Sequence, residues 1–221
     1  QSREPLLMAT SNLEAPAAAT RQVISLPIEE GLTCLRGLSP QRLRFELEYA
    51  LERGSTANSF LFDAGTDWAS LLQTALLVHP PGKAYDKAFL PALAELLPAQ
   101  TTALKVVVGH VNPNRVALLR DLASLYPELE LIASNAGAKL LGELWSQRKP
   151  VLLNPIKKQP AIPDLPPIQV IRQEQTQPLS HRHQLQLVPA PTPRWPPFVD
   201  AFEKYIGLLM SGKLFSAHIC T

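Results

Sequence analysis

The residues of this chain whose types and spacing come nearest to a reactive site lie in residues 106–119, VVVGHVNPNRVALL. A run of β-branched residues, which is typical of a buried strand, ends at His110. Asn112, Asn114 and Arg115 follow at the spacing at which a metal enzyme would place carboxylates and a second histidine. The stretch therefore has the layout of a metal-binding loop without most of the ligands.

Length and composition favour one domain that binds neither nucleic acid nor a membrane. A chain of 221 residues with 46% hydrophobic content can bury one sizeable core. The 21 basic and 19 acidic side chains are scattered and form no basic stripe. No apolar run reaches the roughly 18 to 20 residues that span a bilayer. We expect a disordered tail over residues 1–22, including an expression remnant over residues 1–7, and a single domain over residues 23–221.

The elements that must position the loop alternate between strand and helix, which predicts an α/β layered domain. Strands are predicted at 44–49 (RFELEY), in NSFLFDAG and TALLVHPPG, at 105–109 and at 129–132. Helices are predicted at 85–97, starting late because of Pro91, at 114–125, and up to Trp145. Asn112 or Asn114 is suited to cap the second of these helices, and Ser134 or Asn135 the third.

The last third of the chain changes character. Twelve of its 22 prolines lie between residues 150 and 197, so IQVI and QLQLVP are predicted as edge strands and extended connections. Residues 196–212, PPFVDAFEKYIGLLMSG, are predicted to form a last amphipathic helix that ends at Gly212.

Other candidate residues are weaker. His181 and His183, in HRH, would share one face of a strand and could bind a metal, but polar loop histidines are the simpler interpretation. Cys34 and Cys220 lie in no metal-binding or redox motif and are expected to be inert thiols in a reducing, cytoplasmic compartment. The three tryptophans, Trp68, Trp145 and Trp195, are expected in the core or at seams between elements.

Four short motifs in register resemble the metallo-β-lactamase-like αββα sandwich of flavodiiron proteins. GSTANSFLF (54–62) resembles that family's G-T-x-Y-N-S-F-L hairpin, and VVVGHVNPNRVALL lies where the family has V-S-H-T-E-P-D-H-S-G. APTPRWPP is similar to T-P-M-L-H-W-P-D, and SGKLFSAHIC to S-N-D-A-F-G-Q-H. The resemblance extends from about Gly31 to the end of the chain.

The resemblance also implies which residues have replaced the iron ligands. The family's histidine, glutamate, aspartate and second histidine correspond to His110, Asn112, Asn114 and Arg115. A later histidine ligand corresponds to Arg194 and the bridging aspartate to Lys213, so only His110 keeps its type.

These replacements have an electrostatic consequence. Two iron ions need anionic oxygen ligands to offset their charge, and an asparagine carries none. Arginine has no lone pair to give and stays charged, and Lys213 adds another cation. The resemblance therefore predicts a vestigial diiron pocket without metal, which binds chloride or another anion or is closed by internal hydrogen bonds.

The substitutions are similar to those of a subset of the photosynthetic flavodiiron proteins. That class reduces dioxygen to water with electrons from pyridine nucleotide or ferredoxin, protects photosystem I, and forms homo- or hetero-oligomers. Its longer chains add a flavodoxin-like domain that binds FMN and a flavin-reductase domain. Because these residues contain neither, we expect the chain to be a fragment without a cofactor, whose parent protein binds FMN.

Two alternatives remain open from the sequence. One is a mononuclear metal-dependent hydrolase of the metallo-β-lactamase superfamily, using His110 with His218 or with the histidines of HRH. The other is a structural or regulatory subunit whose basic pocket binds an anion.

Overall fold

The computed structural model describes residues 21–40, 55–63, 74–147, 161–179, 182–192 and 195–212. Its first sheet contains β1 (Gln22–Glu29), β2 (Leu32–Ser39), β3 (Ser55–Phe62), β4 (Leu76–Val78), β5 (Ala103–Val107), β6 (Glu128–Ser134) and β7 (Ile168–Ile171). The helices are α1 (Asp86–Leu96), which follows a 3-10 turn at Lys83–Tyr85, α2 (Pro113–Leu125) and α3 (Asn135–Trp145). The second sheet contains β8 (Gln175–Pro178), β9 (Gln184–Pro189), β10 (Val199–Glu203) and β11 (Leu208–Met210).

The strands of the first sheet lie side by side in chain order from β1 to β7, and their pairing changes from antiparallel to parallel at β4. Strands β1 to β4 pair antiparallel, and β4 to β7 pair parallel. Parallel neighbours need crossover connections, which α1, α2 and α3 supply in turn. The carboxyl ends of β4, β5 and β6 therefore meet at one edge, and the loops that follow them are brought together there.

Two apolar cores lie on the two faces of the first sheet. On one face the helices pack through residues such as Phe89, Leu119 and Leu141. On the other face the second sheet packs against the first, with Val107 and Ile132 opposing Leu187 and Val199 in one cluster. The central strands are apolar on both faces because both are covered. The α/β alternation is confirmed, and the helices among the described residues all lie on the first sheet.

The helix predicted at 196–212 is wrong, since this stretch forms the β10–β11 hairpin. Val199, Ala201 and Glu203 alternate inward with the period of a strand. Gly207 adopts φ +71° in the turn between the two strands, a conformation that glycine reaches without steric cost. The apolar residues of this stretch fit a helical period as well. The positive φ of Gly207 and the pairing of β10 with β9 favour the hairpin over the helix.

Two further expectations differ from the structure, and others fall on residues that it does not describe. Strands β1 and β2 were not predicted, because β1 is mostly exposed and contains Pro27, and Arg36 and Gly37 interrupt the apolar pattern of β2. Helix α1 begins at Asp86 with Pro91 in its interior, so the late start is wrong. The strand predicted at 44–49 and the first 20 residues of the tail predicted at 1–22 lie outside the described residues, and Gln22 at the end of that range begins β1. Also outside the described residues are Trp68, His181, Arg194, Lys213, His218 and Cys220. None of the described helices is long and apolar enough to span a bilayer.

Candidate functional site

The loop that follows β5 carries His110 to the seam between the two sheets. The Val108 amide donates to the Ile132 carbonyl at 2.8 Å, and the Val199 amide donates to the Gly109 carbonyl at 3.3 Å. His110 is 3% exposed, and its ring meets Trp195 edge to face with centroids 4.4 Å apart. The loop is thus fixed to β6 on one side and to the second sheet on the other.

Asn112 is the N-cap of α2, as one of the two sequence alternatives predicted. It has extended backbone (φ −151°), and its Oδ1 accepts from the Arg115 amide at 2.8 Å. Pro113 occupies the first helical turn, where the missing N–H costs nothing. The side-chain oxygen Oδ1 is the one atom of the Asn112 side chain that could bind a cation. It is already hydrogen-bonded to the first turn of α2.

Replacing Asn112 by alanine is expected to lower the free energy of unfolding by about 1 kcal/mol, the usual cost of losing such a cap. Asn112→Asp should keep the full stability, because a carboxylate accepts the same hydrogen bond and suits the positive end of the helix. Urea denaturation of the three proteins measures this. Equal stability of the alanine and aspartate variants would mean that the cap does not stabilise α2.

The other two loop residues point to different surroundings. A Cβ on Gly82, in the Pro80-Pro81-Gly82 segment after β4, would overlap the Asn114 amide, so Asn114 packs on that segment. Arg115 is only 8% exposed, and its Nη1 lies 3.5 Å from the His110 carbonyl oxygen, at the long limit for a hydrogen bond. The structure thus brings His110 and Arg115 together and places Asn114 against the β4 loop.

His79, at the end of β4, is a pocket residue that the sequence reasoning missed. It is 5% exposed and is the only described residue other than glycine with a positive φ, +57°. Its Nε2 lies 2.7 Å from the Met210 carbonyl oxygen, so this nitrogen carries the proton and donates. A histidine at the end of a predicted strand, directly before two prolines, was the available signal.

The environment of His79 keeps its imidazole neutral. Burial, the largest cause, lowers its pKa to about 4; the hydrogen bond to Met210 opposes this shift, and the positive charge of Arg115 adds to it. The charge of Arg115, at the beginning of α2, therefore contributes to the low pKa of His79, at the end of β4. With a neutral imidazole and a cationic guanidinium, this end of the sheet carries positive charge.

The remaining candidates found by sequence lie elsewhere or are structural. His183 meets the Phe62 ring edge to face, with Nε2 2.7 Å from the Glu30 carbonyl oxygen and Nδ1 3.7 Å from Glu203 Oε1. Glu203 ends β10, and Val199 at the start of β10 bonds Gly109, so the two histidine sites are about 13 Å apart along this strand. This geometry does not support a hydrolytic site that pairs His110 with His183.

The described cysteine and tryptophans behave as expected. Cys34 is buried, and burial raises the pKa of its thiol, which disfavours the reactive thiolate. Trp145 belongs to the helix-side core and donates from Nε1 to the Pro163 carbonyl at 2.8 Å. Trp195 is 39% exposed and lies at the seam, over His110.

The described residues around His110 do not fit a pair of iron ions. Of the four loop positions only His110 offers a ligand of the required type, while Asn112 is engaged by the helix and Arg115 adds a positive charge. Among the described residues there is no group of three or more His, Cys, Asp or Glu side chains that could hold a metal.

Comparison with known proteins identifies the fold and the family. No family model matches the chain. Diflavin flavoprotein A 6 of Nostoc sp. (strain PCC 7120) is 38% identical over 200 residues, which cover 90% of this chain and 31% of the relative. The crystal structure of a fragment (1–254) of diflavin flavoprotein A 5 from Nostoc has a TM-score of 0.72 at 30% identity, covering 91% of this chain and 70% of that one. The metal-soaked Flv1 flavodiiron core from Synechocystis sp. PCC6803 has a TM-score of 0.71 at 31% identity, covering 91% and 44%.

These likenesses define the fold as the metallo-β-lactamase-like core of a flavodiiron protein, which confirms the predicted fold class. The chain belongs to the diflavin flavoprotein A family of flavodiiron proteins, with relatives in the cyanobacteria Nostoc and Synechocystis. It spans 31% of the length of its Nostoc relative, diflavin flavoprotein A 6.

Proposed function

We propose that this chain is a flavodiiron core in which the diiron site has become a cationic pocket that binds an anion. His110 and Arg115 lie together in its described part, with Asn112 capping the adjoining helix and Asn114 packed against the β4 loop. We assign Arg194 and Lys213 to the pocket from the sequence resemblance. Such a pocket takes a small anion such as chloride, and it does not itself reduce dioxygen.

The burial of Arg115 carries this proposal. A guanidinium stays protonated at every pH at which a protein is folded, and its charge acts more strongly on its neighbours where water is excluded. Arg115 is 8% exposed and stands where the family resemblance places an iron-binding histidine. A second cation in the same space would be repelled, whereas an anion would be stabilised.

The surroundings of Arg115 favour the same ligand. The neighbouring His79 is held neutral, and the cap bond of Asn112 places the N-terminus of α2, with its partial positive charge, beside the pocket. A helix N-terminus and a buried arginine both attract anions. The residues therefore offer donors and positive charge, and few of the anionic oxygens that iron requires.

For the whole protein we propose a part in photoprotective reduction of dioxygen to water in the cytoplasm of a phototroph. FMN would be bound by a flavodoxin-like domain of the whole protein. Among the described loop positions only His110 is an iron ligand, so a homo-oligomer of such chains would hold no intact diiron site. The oxygen chemistry would therefore take place on a different flavodiiron subunit with intact ligands, in a hetero-oligomer. The present chain would then be a structural or electron-passing partner in that assembly.

The test combines metal analysis with the effect of bromide on stability. Protein purified without chelator is expected to contain far less than one iron per chain. Replacing gluconate by bromide at constant ionic strength should raise the free energy of unfolding, by about 2.7 kcal/mol at a concentration one hundred times the dissociation constant.

The bromide effect should disappear in Arg115→Met, which keeps the volume of the side chain and removes its charge. Arg182→Met is the matched control, because Arg182 pairs with Glu30 near His183, at the other end of β10. Stoichiometric iron, or a bromide effect that survives in Arg115→Met, would disprove the proposal.

A further inference from the structure

The His79 imidazole fills the space between the two sheets at the pocket. Its ring lies against Gly109, where a Cβ would overlap Cε1 and Nδ1, and it stacks on Phe198 with centroids 6.3 Å apart and planes at 23°. On the far side, a Cβ on Gly212 would lie 3.6 Å from Cδ2 of the ring. Backbone of the β5 loop and backbone after β11 thus approach the same ring from opposite sides.

Three hydrogen bonds hold His79 in its unusual conformation. Its amide donates to the Val107 carbonyl at 3.0 Å, its carbonyl accepts from Ser59 Oγ at 2.8 Å, and its Nε2 donates to the Met210 carbonyl at 2.7 Å. A residue other than glycine with φ +57° is sterically disfavoured and persists only where its surroundings impose it. The first two bonds fix the backbone within the first sheet, and the third reaches across to β11.

The two glycines that contact His79 each precede a pocket position in the sequence. Gly109 is followed by His110, and Gly212 is followed by Lys213. One imidazole ring, placed edge to edge between these two backbone segments, and one hydrogen bond therefore occupy the space that separates them. A purely apolar side chain could fill the same volume, but it would leave the buried Met210 carbonyl without this donor.

We propose that His79 is a positioning residue that sets the width of the pocket by spacing the loop of residues 108–112 from the end of β11. The ligand whose binding it tunes is the anion of the proposed function, so this part of the inference rests on that proposal. His79 acts on His110 through Gly109 and does not itself contact the ligand. Its neutral state, which burial imposes by lowering the pKa, suits a spacer that must donate to a carbonyl beside a guanidinium.

Two variants separate the side chain from the backbone. Gln places its Nε2 as many bonds from the backbone as His does and can donate to Met210, so His79→Gln keeps the hydrogen bond without the ring. Asn tolerates a positive φ better than other residues but is too short to reach, so His79→Asn relieves the backbone and loses the spacer. His183→Gln is the matched control, because it alters a different buried histidine, about 13 Å away along β10.

The first measurement is independent of any anion. In the wild type, the ring protons of His110 should show chemical shifts displaced by the Trp195 ring that lies 4.4 Å away. This displacement should largely disappear in His79→Asn, persist in part in His79→Gln, and stay unchanged in His183→Gln. Unchanged His110 signals in His79→Asn would overturn the inference, since the loop would then hold its place without the spacer.

The second measurement is bromide affinity, from the bromide dependence of stability. His79→Asn should weaken it about tenfold, the scale on which supporting residues act at ligand sites, while His183→Gln should leave it within twofold. An equal loss in both variants would assign the effect to general destabilisation and overturn the inference. If the wild type shows no bromide effect but the His110 signals move in His79→Asn, the anion proposal fails and the positioning role stands.

Discussion

Lowering the pH from 6.5 to 4 is expected to remove roughly 3 kcal/mol of stability through His79 alone, which corresponds to a pKa shift of about 2.5. Burial, the largest cause, lowers the pKa of this imidazole from 6.5 to about 4 in the folded protein. Between these values the unfolded chain binds the proton and the folded protein does not. Stability therefore rises with pH across the window and is lost as the pH falls through it, levelling off below about pH 4.

Urea denaturation at several pH values from 4 to 7, on the wild type and on His79→Asn, measures this contribution. The difference between the two curves is the informative quantity, because other groups titrate in the same range. Asp63 and Asp200, for example, have pKa values raised mainly by burial, and these act in the opposite direction. The wild-type curve should be steeper than that of the variant between pH 4 and 6.5. Parallel curves would mean that His79 is protonated in the folded protein or is not buried.

The elements around the pocket could be predicted where local chemistry and apolar pattern agree. Strand β5 was found from its β-branched run, and the caps of α2 and α3 were found because Asn112 and Ser134 are strong cap residues. Both side chains accept the expected hydrogen bond, from Arg115 and Gly137 respectively. The sequence therefore places the loop between β5 and α2 to within two residues, since β5 was expected at 105–109 and spans Ala103–Val107.

The β10–β11 hairpin could not be predicted because its pattern is ambiguous. Phe198, Val199 and Phe202 fit a helical stripe as well as they fit alternation, and the choice depends on pairing with β9, which is distant in sequence. The aligned Phe202 and Leu209 belong to the outer face of that hairpin, a relation that only the pairing reveals. Periodicity alone does not carry this information.

The candidate site was predicted in part. Four of its six positions lie among the described residues, and of these His110 and Arg115 are buried together, while Arg194 and Lys213 stay predictions. His79 escaped notice because its role depends on a positive φ and on backbone that approaches it from both sheets. Neither of these features can be recognised in a single sequence, where the one indication is a histidine before two prolines. Residue types can therefore indicate lost ligands, but they do not reveal what now fills the space.

Gly109→Ala is expected to lower the free energy of unfolding by about 3 kcal/mol, because the added methyl group meets atoms on two sides. One obstacle is the His79 ring, and the other is the Val199 carbonyl oxygen, 2.6 Å from the new Cβ. A ring can rotate away at some cost, but a carbonyl in β10 moves only if the second sheet moves. The Val199 amide would also lose its hydrogen bond to the Gly109 carbonyl if the two segments separated.

Gly142→Ala provides the matched control, since nothing lies within 4 Å of a Cβ built at that position on α3. It should raise the free energy of unfolding by roughly 0.5 to 1 kcal/mol, because alanine is the better helix former. The double variant Gly109→Ala/His79→Asn should recover only part of the loss, because shortening the side chain leaves the Val199 carbonyl in place. Full recovery would show that the His79 ring is the whole obstacle and that the second sheet yields freely at the pocket. A loss below about 1 kcal/mol in Gly109→Ala itself would contradict the close approach of the two sheets, on which the spacing role of His79 depends.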